Sequence, residues 1–465
     1  MKNYKLVVLL LFGLFSGSCE KYLDVKANST QVFIKTSEDC QKLLDSYPSI
    51  NTNYPSDGEV SAGDTYLTDA SYNSSSAGLT AEDRAFYTWQ QQAIRSLAAG
   101  QWRGGYVKIT TANLVLESLG GDLDDNPAQS TLDRLRGAAL FYRSFSLWQL
   151  AQLFAPPYST ADADQQPGIP IRLESDINEK LVRGTVRQTY DRIVQDLKEA
   201  VNLLPENVTI ASRPNKTAAL AMLGRVYLSM EDYEQAQNNA SAALQRKSDL
   251  LDYRTISATS QTPFPRYNSE VIFQAVMLNT PILTPGVSSS SSSIAKVVPE
   301  LVAQYEPGDL RRTIFFKSVA SSTSVYTFSG NYEPAFNGAY FVGLAVDELY
   351  LIRAECYARA GNTALALADL NTLLRMRWSG TYMDKTASSA EAALAMILTE
   401  RRKELLLRGL RWTDLRRLNR DPRFAVTLRR TVLGQEYTLP PNDLRYTLLI
   451  PSEVINNSAY AQNTR

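Results

Sequence analysis

Apolar residues recur at helical spacing over two long stretches of the chain, residues 81–246 and 347–419. The clearest case is 213–246, where the polar run 229–231 separates two periodic segments. The first segment carries one apolar stripe, formed by Ala219, Met222, Leu223, Val226 and Tyr227. The second carries small residues on one face, namely Ala236, Ala240 and Ala243. Such stripes are typical of amphipathic helices. The pattern predicts two short helices in close contact, with Gly224 at the point of closest approach.

The same spacing returns later in the chain. The set Gly224, Tyr227 and Ala236 is matched by a second set, Ala354, Tyr357 and Ala366. The unit is similar to the tetratricopeptide repeat, a pair of helices that stacks on neighbouring pairs. Because one such unit cannot bury its own apolar face, further helix pairs are expected in this chain.

Three more helical segments supply those pairs. Residues 132–154 form a long apolar helix that Pro156 and Pro157 end. Thr185 and Gln188 form a capping box that begins the next helix, and residues 391–419 form an amphipathic helix and a turn. The sequence therefore predicts a mainly α protein, in which about four tetratricopeptide-like helical hairpins support an irregular, loop-rich region with a few short strands.

Two regions break the helical pattern. Residues 48–80 and 249–345 are rich in Ser, Asn, Gly and Tyr, and they contain short β-like runs such as 271–273. The second region is too long to be a simple connection. We interpret residues 19–465 as one domain, with a helical scaffold over 81–246 and 347–419 and ligand-facing irregular regions between its parts.

The first residues have the pattern of an export signal. Lys2 and Lys5 precede an apolar run, and residues 16–18 are small. Cys19 follows them directly, which resembles a bacterial lipoprotein cleavage site and predicts that Cys19 carries the lipid anchor. The alternative is a plain secreted protein that is cleaved near the same point.

Composition removes several classes of chemistry. The chain of 465 residues has 48 basic and 48 acidic residues, so no nucleic-acid surface is expected. It contains no histidine, which excludes histidine-based triads and zinc sites, and its three cysteines are far apart. We predict no cofactor and no metal site. Residues 122–133 order their acids like a calcium loop, but Pro127 stands where that loop needs Gly, so a helix-capping linker is favoured over a calcium site.

Two features leave alternatives open. Cys40 and Cys356 could form a disulfide in an exported protein, or Cys356 could be a buried thiol on its apolar helix face. Glu400 and Glu404 lie one helical turn apart, as a catalytic carboxylate pair would. Because arginines surround them, we favour ion pairs that fix a turn.

Several segments together resemble one family. In chain order these are Cys19 with Tyr22-Leu23-Asp24, 136–158, 184–205, the repeat at 213–246, 299–312, 400–417 and 448–454. The combination is similar to the SusD/RagB family, surface lipoproteins of Bacteroidetes. Arg408 departs from the family pattern, which often has Glu at that position.

The resemblance implies a non-catalytic outer-membrane lipoprotein, anchored by lipid and facing the cell exterior. It implies capture of a nutrient for a partner TonB-dependent (SusC-like) transporter. Sugar binding needs aromatic faces and planar polar side chains, which the two irregular regions contain. The candidate ligand-binding residues are Tyr66, Asp69, Tyr72, Asn73, Tyr326, Phe328, Asn331, Tyr332, Phe336 and Tyr340.

Four functions remain open at this point. The first is capture of an oligo- or polysaccharide, and the second is capture of peptides by the same architecture. The third is a carboxylate-based glycoside hydrolase that uses Glu404. The fourth is a helical-repeat scaffold that binds only protein.

Overall fold

The periodic stretches of the sequence fold into helices that pack on one another in chain order. The structure, a computed structural model, describes four stretches of the chain: residues 34–284, 294–319, 324–334 and 339–465. The predicted signal segment, the lipidation site Cys19 and the candidate Phe336 lie outside these stretches. The predicted fold class, mainly α with a few short strands, is confirmed.

The helices and strands of the described residues are numbered in chain order. The α-helices are α1 Ser37–Leu44, α2 Tyr47–Ile50, α3 Asp57–Ser61, α4 Asp69–Asn73, α5 Ala81–Tyr87, α6 Arg103–Ser118, α7 Gln129–Phe154, α8 Val186–Leu203, α9 Lys216–Ser229, α10 Tyr233–Leu244, α11 Pro299–Val302, α12 Arg311–Ile314, α13 Val346–Arg359, α14 Thr363–Arg375, α15 Ala390–Glu404, α16 Arg411–Leu418 and α17 Ser452–Asn456. The strands are β1 Thr65–Tyr66, β2 Pro167–Pro170, β3 Arg183–Thr185, β4 Val271–Phe273, β5 Lys296–Val297, β6 Phe316–Ser318, β7 Tyr326–Phe328, β8 Leu344–Ala345, β9 Leu428–Val432 and β10 Gln435–Leu439.

The helical scaffold is a continuous stack. Helices that follow each other in the chain pack side by side: α6 on α7, α7 on α8, α9 on α10, and α13 on α14. Helix α10 also packs on α13, so the stack continues across the long irregular region between them. Helix α15 packs on α13 and α14, and α16 packs on α3 and α9.

Helices α9 and α10 show why this stack is tight. Asn215 caps α9 and Asp232 caps α10, each through a side-chain oxygen that accepts a backbone N–H in the first turn. A Cβ added at Gly224 would lie 3.5–3.7 Å from Ala236 and Ala240 of α10. The close approach predicted at Gly224 is therefore present, and the small alanines allow it.

Helix α7 joins the scaffold to both irregular regions. Its predicted apolar face is buried, and the Phe145 ring lies 4.9 Å from Tyr54 while the Phe141 ring lies 4.8 Å from Phe273. Tyr54 belongs to the first irregular region and Phe273 to the second, so both pack on one helix. No helix within the described residues is long and apolar enough to cross a bilayer.

A four-stranded sheet joins the two irregular regions. Its strand order is β1-β5-β7-β6, and every neighbouring pair is antiparallel. Strand β1 comes from residues 48–80, while the other three come from residues 249–345. The first region, expected to be irregular, also forms the short helices α2, α3 and α4. Backbone pairing therefore brings together two segments that lie far apart in the sequence.

A buried network of ion pairs fixes the second irregular region to the scaffold. Glu404 at the end of α15 accepts a hydrogen bond of 2.8 Å from Arg311 and another of 2.8 Å from Arg377. Arg377 also pairs with Glu270 at 2.7 Å, and Arg311 pairs with Asp309 and with Glu400 at 2.6 Å. Glu400 and Glu404 therefore form ion pairs, as the sequence favoured. Their arginine partners lie far away in the chain, however, so these pairs join distant segments instead of fixing a local turn.

The other open alternatives are also resolved by side-chain placement. Cys40 and Cys356 are both free and buried, so the disulfide alternative is wrong. Burial raises the pKa of the Cys40 thiol to about 11.

In the segment 122–133, Asp125 accepts hydrogen bonds from the Ser37 backbone N–H and hydroxyl at 3.0 and 2.6 Å. This segment therefore holds the start of α1 rather than capping α7, which begins without a side-chain cap.

Glu355 forms further buried ion pairs, and their contribution to stability depends on pH. It pairs with Arg417 at 2.5 Å and with Arg359 at 2.9 Å. Burial raises the pKa of Glu355, but the charges of Arg417 and Arg359 outweigh burial and lower it to about 2. The unfolded value is about 4.3, so this group stabilises the fold by about 3 kcal/mol above that pH and loses the contribution as pH falls towards 2.

We expect Glu355→Gln to lose this pH-dependent part of the stability. Urea unfolding of the variant from pH 7 to pH 3 should give a free energy of unfolding that falls less steeply below about pH 4.3 than in the parent protein. Glu38→Gln, at a side chain that is 75% exposed, is the matched control and should follow the parent curve. Identical slopes for Glu355→Gln and the parent would contradict the assignment.

Candidate functional site

The candidate site is a surface built from loops of both irregular regions, which we call the loop face. It comprises β1, α4, α5, the connection 88–102 and the segment 278–281. Helix α5 begins with a capping box between Thr80 and Asp83, which fixes its first turn. A helix begins at Ala81, as the sequence predicts, but the helical scaffold is interrupted because residues 88–102 form no helix.

Arg95 holds the connection 88–102 in place. Its guanidinium donates to Asp57 at 2.9 and 2.6 Å and to Asp83 at 2.7 Å. Its carbon CZ lies 4.7 Å from the centre of the Phe86 ring. Because Asp57 and Asp83 are almost fully buried, this fork ties an irregular segment to α3 and α5.

The two aspartates respond differently to this environment. Burial raises the pKa of Asp57, and the pairing with Arg95 only partly offsets it. Burial would also raise the pKa of Asp83, but hydrogen bonds from Thr80 and Arg95 outweigh burial and lower it. The difference follows from the additional backbone and hydroxyl donors of the capping box.

A cleft of about 270 Å³ opens beside this clamp. One wall carries Glu82, Arg95, Ser96, Leu97 and Gln101, and the other carries residues 278–281. Leu97 is 62% exposed at its edge. Sequence reasoning missed this cleft because its walls meet only in the folded chain.

The first group of predicted ligand residues lies together on the loop face. Tyr66 is half-buried on β1, and Tyr72 is half-buried on α4 with its ring 6.1 Å from that of Tyr87. Asp69 is exposed and accepts the Leu433 backbone N–H at 2.8 Å. Asn73 is exposed at the end of α4. These four residues form one partly accessible patch next to α5.

Tyr326, in the second group of predicted ligand residues, lies on the opposite face of the sheet from Tyr66. Val297 is paired with Thr65 on one side and with Tyr326 on the other, so these side chains share one face. Tyr66, the next residue after Thr65, points to the opposite face. Only strand β5 separates the strands of Tyr66 and Tyr326, but the two rings lie on opposite faces of the sheet.

Asn331 has a structural role. Its amide donates to the Glu333 and Ala339 carbonyls at 2.9 and 2.8 Å and accepts the Phe341 N–H at 3.0 Å. These bonds join the end of the described stretch 324–334 to the start of the stretch 339–465.

Three predicted ligand residues are buried instead. Phe328, Tyr332 and Tyr340 are 5%, 0% and 3% exposed. The Tyr332 hydroxyl donates to Glu270 at 2.5 Å, and the Arg408 guanidinium lies 3.9 Å from its ring centre. The expectation that these rings are available to a ligand is wrong, because the irregular region uses aromatic side chains to build its own core.

One buried cluster of three carboxylates has the composition of a metal site. Carboxylate oxygens of Glu270, Asp347 and Glu404 lie within 4.8 Å of one another. Each is paired, however, and Arg408 binds Asp347 at 2.8 Å. Burial raises the pKa of Asp347 to about 7. The arginines already supply the positive charge that a cation would bring.

The fold is that of a helical-repeat protein that carries one face built from loops. A family model described as "Starch-binding associating with outer membrane" matches residues 21–228, and one described as "SusD family" matches residues 334–458. This chain belongs to the SusD/RagB family.

Individual relatives agree with this assignment. SusD-like protein P2 of Formosa agariphila is 23% identical over 475 residues, covering 90% of this chain and 91% of that protein. A SusD superfamily protein of Bacteroides thetaiotaomicron is 22% identical with a TM-score of 0.73, covering 92% of this chain and 100% of that one. A laminarin-binding SusD-like protein is 18% identical with a TM-score of 0.65, covering 92% and 99%. At these identities the structural likeness establishes the fold.

The Arg95 clamp leads to a prediction about order in the loop face. Arg95→Met leaves Asp57 and Asp83 buried without their partner, which should cost about 3–5 kcal/mol of stability. Residues 88–102 should then exchange their amide hydrogens faster, as measured by mass spectrometry. Arg136→Met removes an exposed arginine of α7, 3.9 Å from Glu199, and should leave this segment unchanged. Unchanged exchange in Arg95→Met would contradict the clamp.

Proposed function

We propose that this protein captures a saccharide on its loop face and delivers it, unaltered, to a partner TonB-dependent (SusC-like) outer-membrane transporter. The observation that carries the proposal is the loop face itself. It sets half-buried Tyr66 and Tyr72, with exposed Asp69 and Asn73, near helix α5, and residues of the same helix line the cleft. The family is described as starch-binding. Aromatic faces bind the C–H patches of sugars, and planar polar groups bind their hydroxyl pairs.

The remaining candidates fit this face to different degrees. Tyr66, Asp69, Tyr72 and Asn73 form the patch that we propose as the primary contact, and Tyr326 is a candidate on the other sheet face. Asn331 would contribute by binding the backbone of Ala339 and Phe341 rather than by touching the ligand. Phe336, outside the described residues, stays a candidate.

The carboxylates argue for capture without chemistry. Glu400 and Glu404 are 6% and 1% exposed and are bound by Arg311, Arg377 and Lys403. A glycosidase needs its two carboxylates on either side of the scissile bond, where substrate reaches them. This pair is committed to the protein core.

The cellular placement is proposed from the first residues of the chain. The basic start, apolar run and small residues before Cys19 support export and lipidation at that cysteine. The lipid would hold the protein on the outer membrane with the loop face directed to the cell exterior.

Substitutions on the loop face should weaken saccharide binding. Tyr66→Ala and Tyr72→Ala each remove one aromatic face, worth about 0.5–1.5 kcal/mol or a two- to twelvefold loss of affinity. Retardation in native gels that contain laminarin or starch measures the effect. Phe424→Ala, at a half-buried ring outside the loop face, is the control.

The same experiment separates the competing functions. An equal effect in Phe424→Ala, or none in either tyrosine variant, would contradict the loop face as the site. Release of shortened glycan from the retarded complex would point to a hydrolase. Peptides instead of glycans in material that co-purifies from the native membrane would favour the peptide-binding alternative.

The lipid anchor has its own test. Cys19→Ser should abolish incorporation of labelled palmitate and move the protein from the membrane fraction to the soluble fraction. Cys40→Ala changes a buried cysteine and should leave labelling intact. Continued labelling of Cys19→Ser would show that the anchor lies elsewhere.

A further inference from the structure

A second cleft lies where the longest helix of the described chain ends, and none of its residues belongs to the loop face. It encloses about 440 Å³ and we call it the tail cleft. Its walls come from the proline stop after α7, the segment 162–167, the end of α16, and residues 442–447 and 463–464. Chain segments from four parts of the sequence therefore meet around one opening.

Arg416 forms the floor of the tail cleft and is 3% exposed. Its two terminal nitrogens donate to the backbone carbonyls of Gln152 and Ala155, at the end of α7. These carbonyls have no partner within the helix, and the positive guanidinium suits the negative end of the helix dipole. The third donor of the guanidinium, Nε–H, has no partner within the protein although it is buried.

Two further buried donors line the same cleft. Asn419 is 2% exposed, and its Oδ1 accepts the Val426 N–H at 3.0 Å, whereas its Nδ2 has no hydrogen-bond partner. The Tyr446 ring lies 4.8 Å from Trp412, and its buried hydroxyl also has no partner. The Asn419 amide lies beside this hydroxyl, but no hydrogen bond of ordinary geometry joins them. Burial raises the pKa of Tyr446 to about 12, so it keeps its proton at neutral pH.

The lining also offers an acceptor and an apolar wall. Oδ1 of Asp162 is buried without a partner on a half-exposed residue. Pro156, Pro157 and Pro167 supply C–H surface next to these polar atoms. Buried polar groups in folded proteins are nearly always paired, so four unpaired ones around a single cleft call for an occupant.

The polar atoms restrict the chemistry of that occupant. An anion would meet the negative charge of Asp162, and the guanidinium of Arg416 already donates to the carbonyls at the end of α7. A cation would meet Arg416. An apolar ligand would leave four buried polar atoms unpaired, at a cost for each. Sugar hydroxyls both donate and accept, so they match three donors and one acceptor, and the prolines match the C–H surface of a sugar ring.

We propose that the tail cleft is a second binding site, which takes one or two units of an uncharged saccharide. Its volume falls within the range of small-molecule sites, about 300–1,000 Å³. The inference depends on the cleft's own donors and acceptor, and it would stand if the loop face bound no glycan.

The test uses saturation-transfer NMR on the purified protein with millimolar glucose, galactose, mannose and xylose as probes. At least one of these sugars should receive saturation transferred from the protein, which shows that it binds. Tyr446→Phe should weaken its binding about three- to tenfold, because one hydrogen bond is lost. The melting temperature should not fall, since the hydroxyl bonds nothing in the protein. Asp162→Asn should also weaken binding, because it removes a charged acceptor.

Matched variants distinguish this site from the loop face. Tyr357→Phe removes a hydroxyl from a half-buried tyrosine of α13 and should bind the monosaccharide like the parent. Tyr72→Ala alters the loop face alone and should also keep the monosaccharide signal while losing retardation by laminarin or starch. If the loop face captured no glycan, monosaccharide binding to the tail cleft would still be observed, and Tyr446→Phe would still weaken it.

Three outcomes would overturn the proposal. One is saturation of no probe sugar, which would mean that ordered water satisfies the buried donors. Another is equal weakening in Tyr446→Phe and Tyr357→Phe. The third is displacement of the sugar by equimolar inorganic phosphate, which would make the cleft an anion site. Crystals soaked in the sugar that saturates best should show it between Arg416 and Asp162.

Discussion

The ion pairs of Glu404 are the interaction on which the rest of the structure depends. This carboxylate ends the scaffold helix α15 and binds Arg311 of the irregular region and Arg377 after α14 at once. Arg377 carries the connection on to Glu270, which also accepts the Tyr332 hydroxyl. Removing one partner of such a buried group costs about 3–5 kcal/mol, because the others lose their compensation. These ion pairs thereby attach the irregular region 249–345, which has few helices of its own, to the helical scaffold.

The loop face inherits its shape from these attachments. Arg402 of α15 binds Asp64 at 2.6 Å, just before β1, and the Arg95 fork binds the connection 88–102 to α3 and α5. Side chains of Tyr66 and Tyr72 are therefore presented from fixed backbone. A preorganised surface of this kind binds a flexible saccharide without an additional ordering cost of its own loops. The buried ion pairs therefore also fix the shape of the loop face.

Local patterns in the sequence predicted the scaffold but not the surfaces. Helical periodicity located α7 to α10, and the capping box at Thr185 marked the start of α8, because these signals lie within a few residues of each other. The arginines near Glu404 in the sequence indicated ion pairing, but its partners in the structure, Arg311 and Arg377, are 93 and 27 residues away. The burial of Tyr332 did not follow from the sequence, since a Tyr in a loop-rich segment has the same sequence signature in a core or on a surface. The unpaired atoms of Arg416 and Asn419 depend wholly on tertiary contacts.

The pairing of β1 with β5 has a consequence for how the chain folds. Tyr66 meets Lys296 across about 230 residues of intervening chain, so the strands cannot join until more than half of the protein has been made. Helical hairpins form from neighbouring residues and fold quickly, whereas contacts between distant residues form slowly. The scaffold should thus assemble first and the sheet last. Under the proposed function, saccharide binding would report that the sheet has closed, and chains cut short before residue 296 would be helical yet unable to close this sheet.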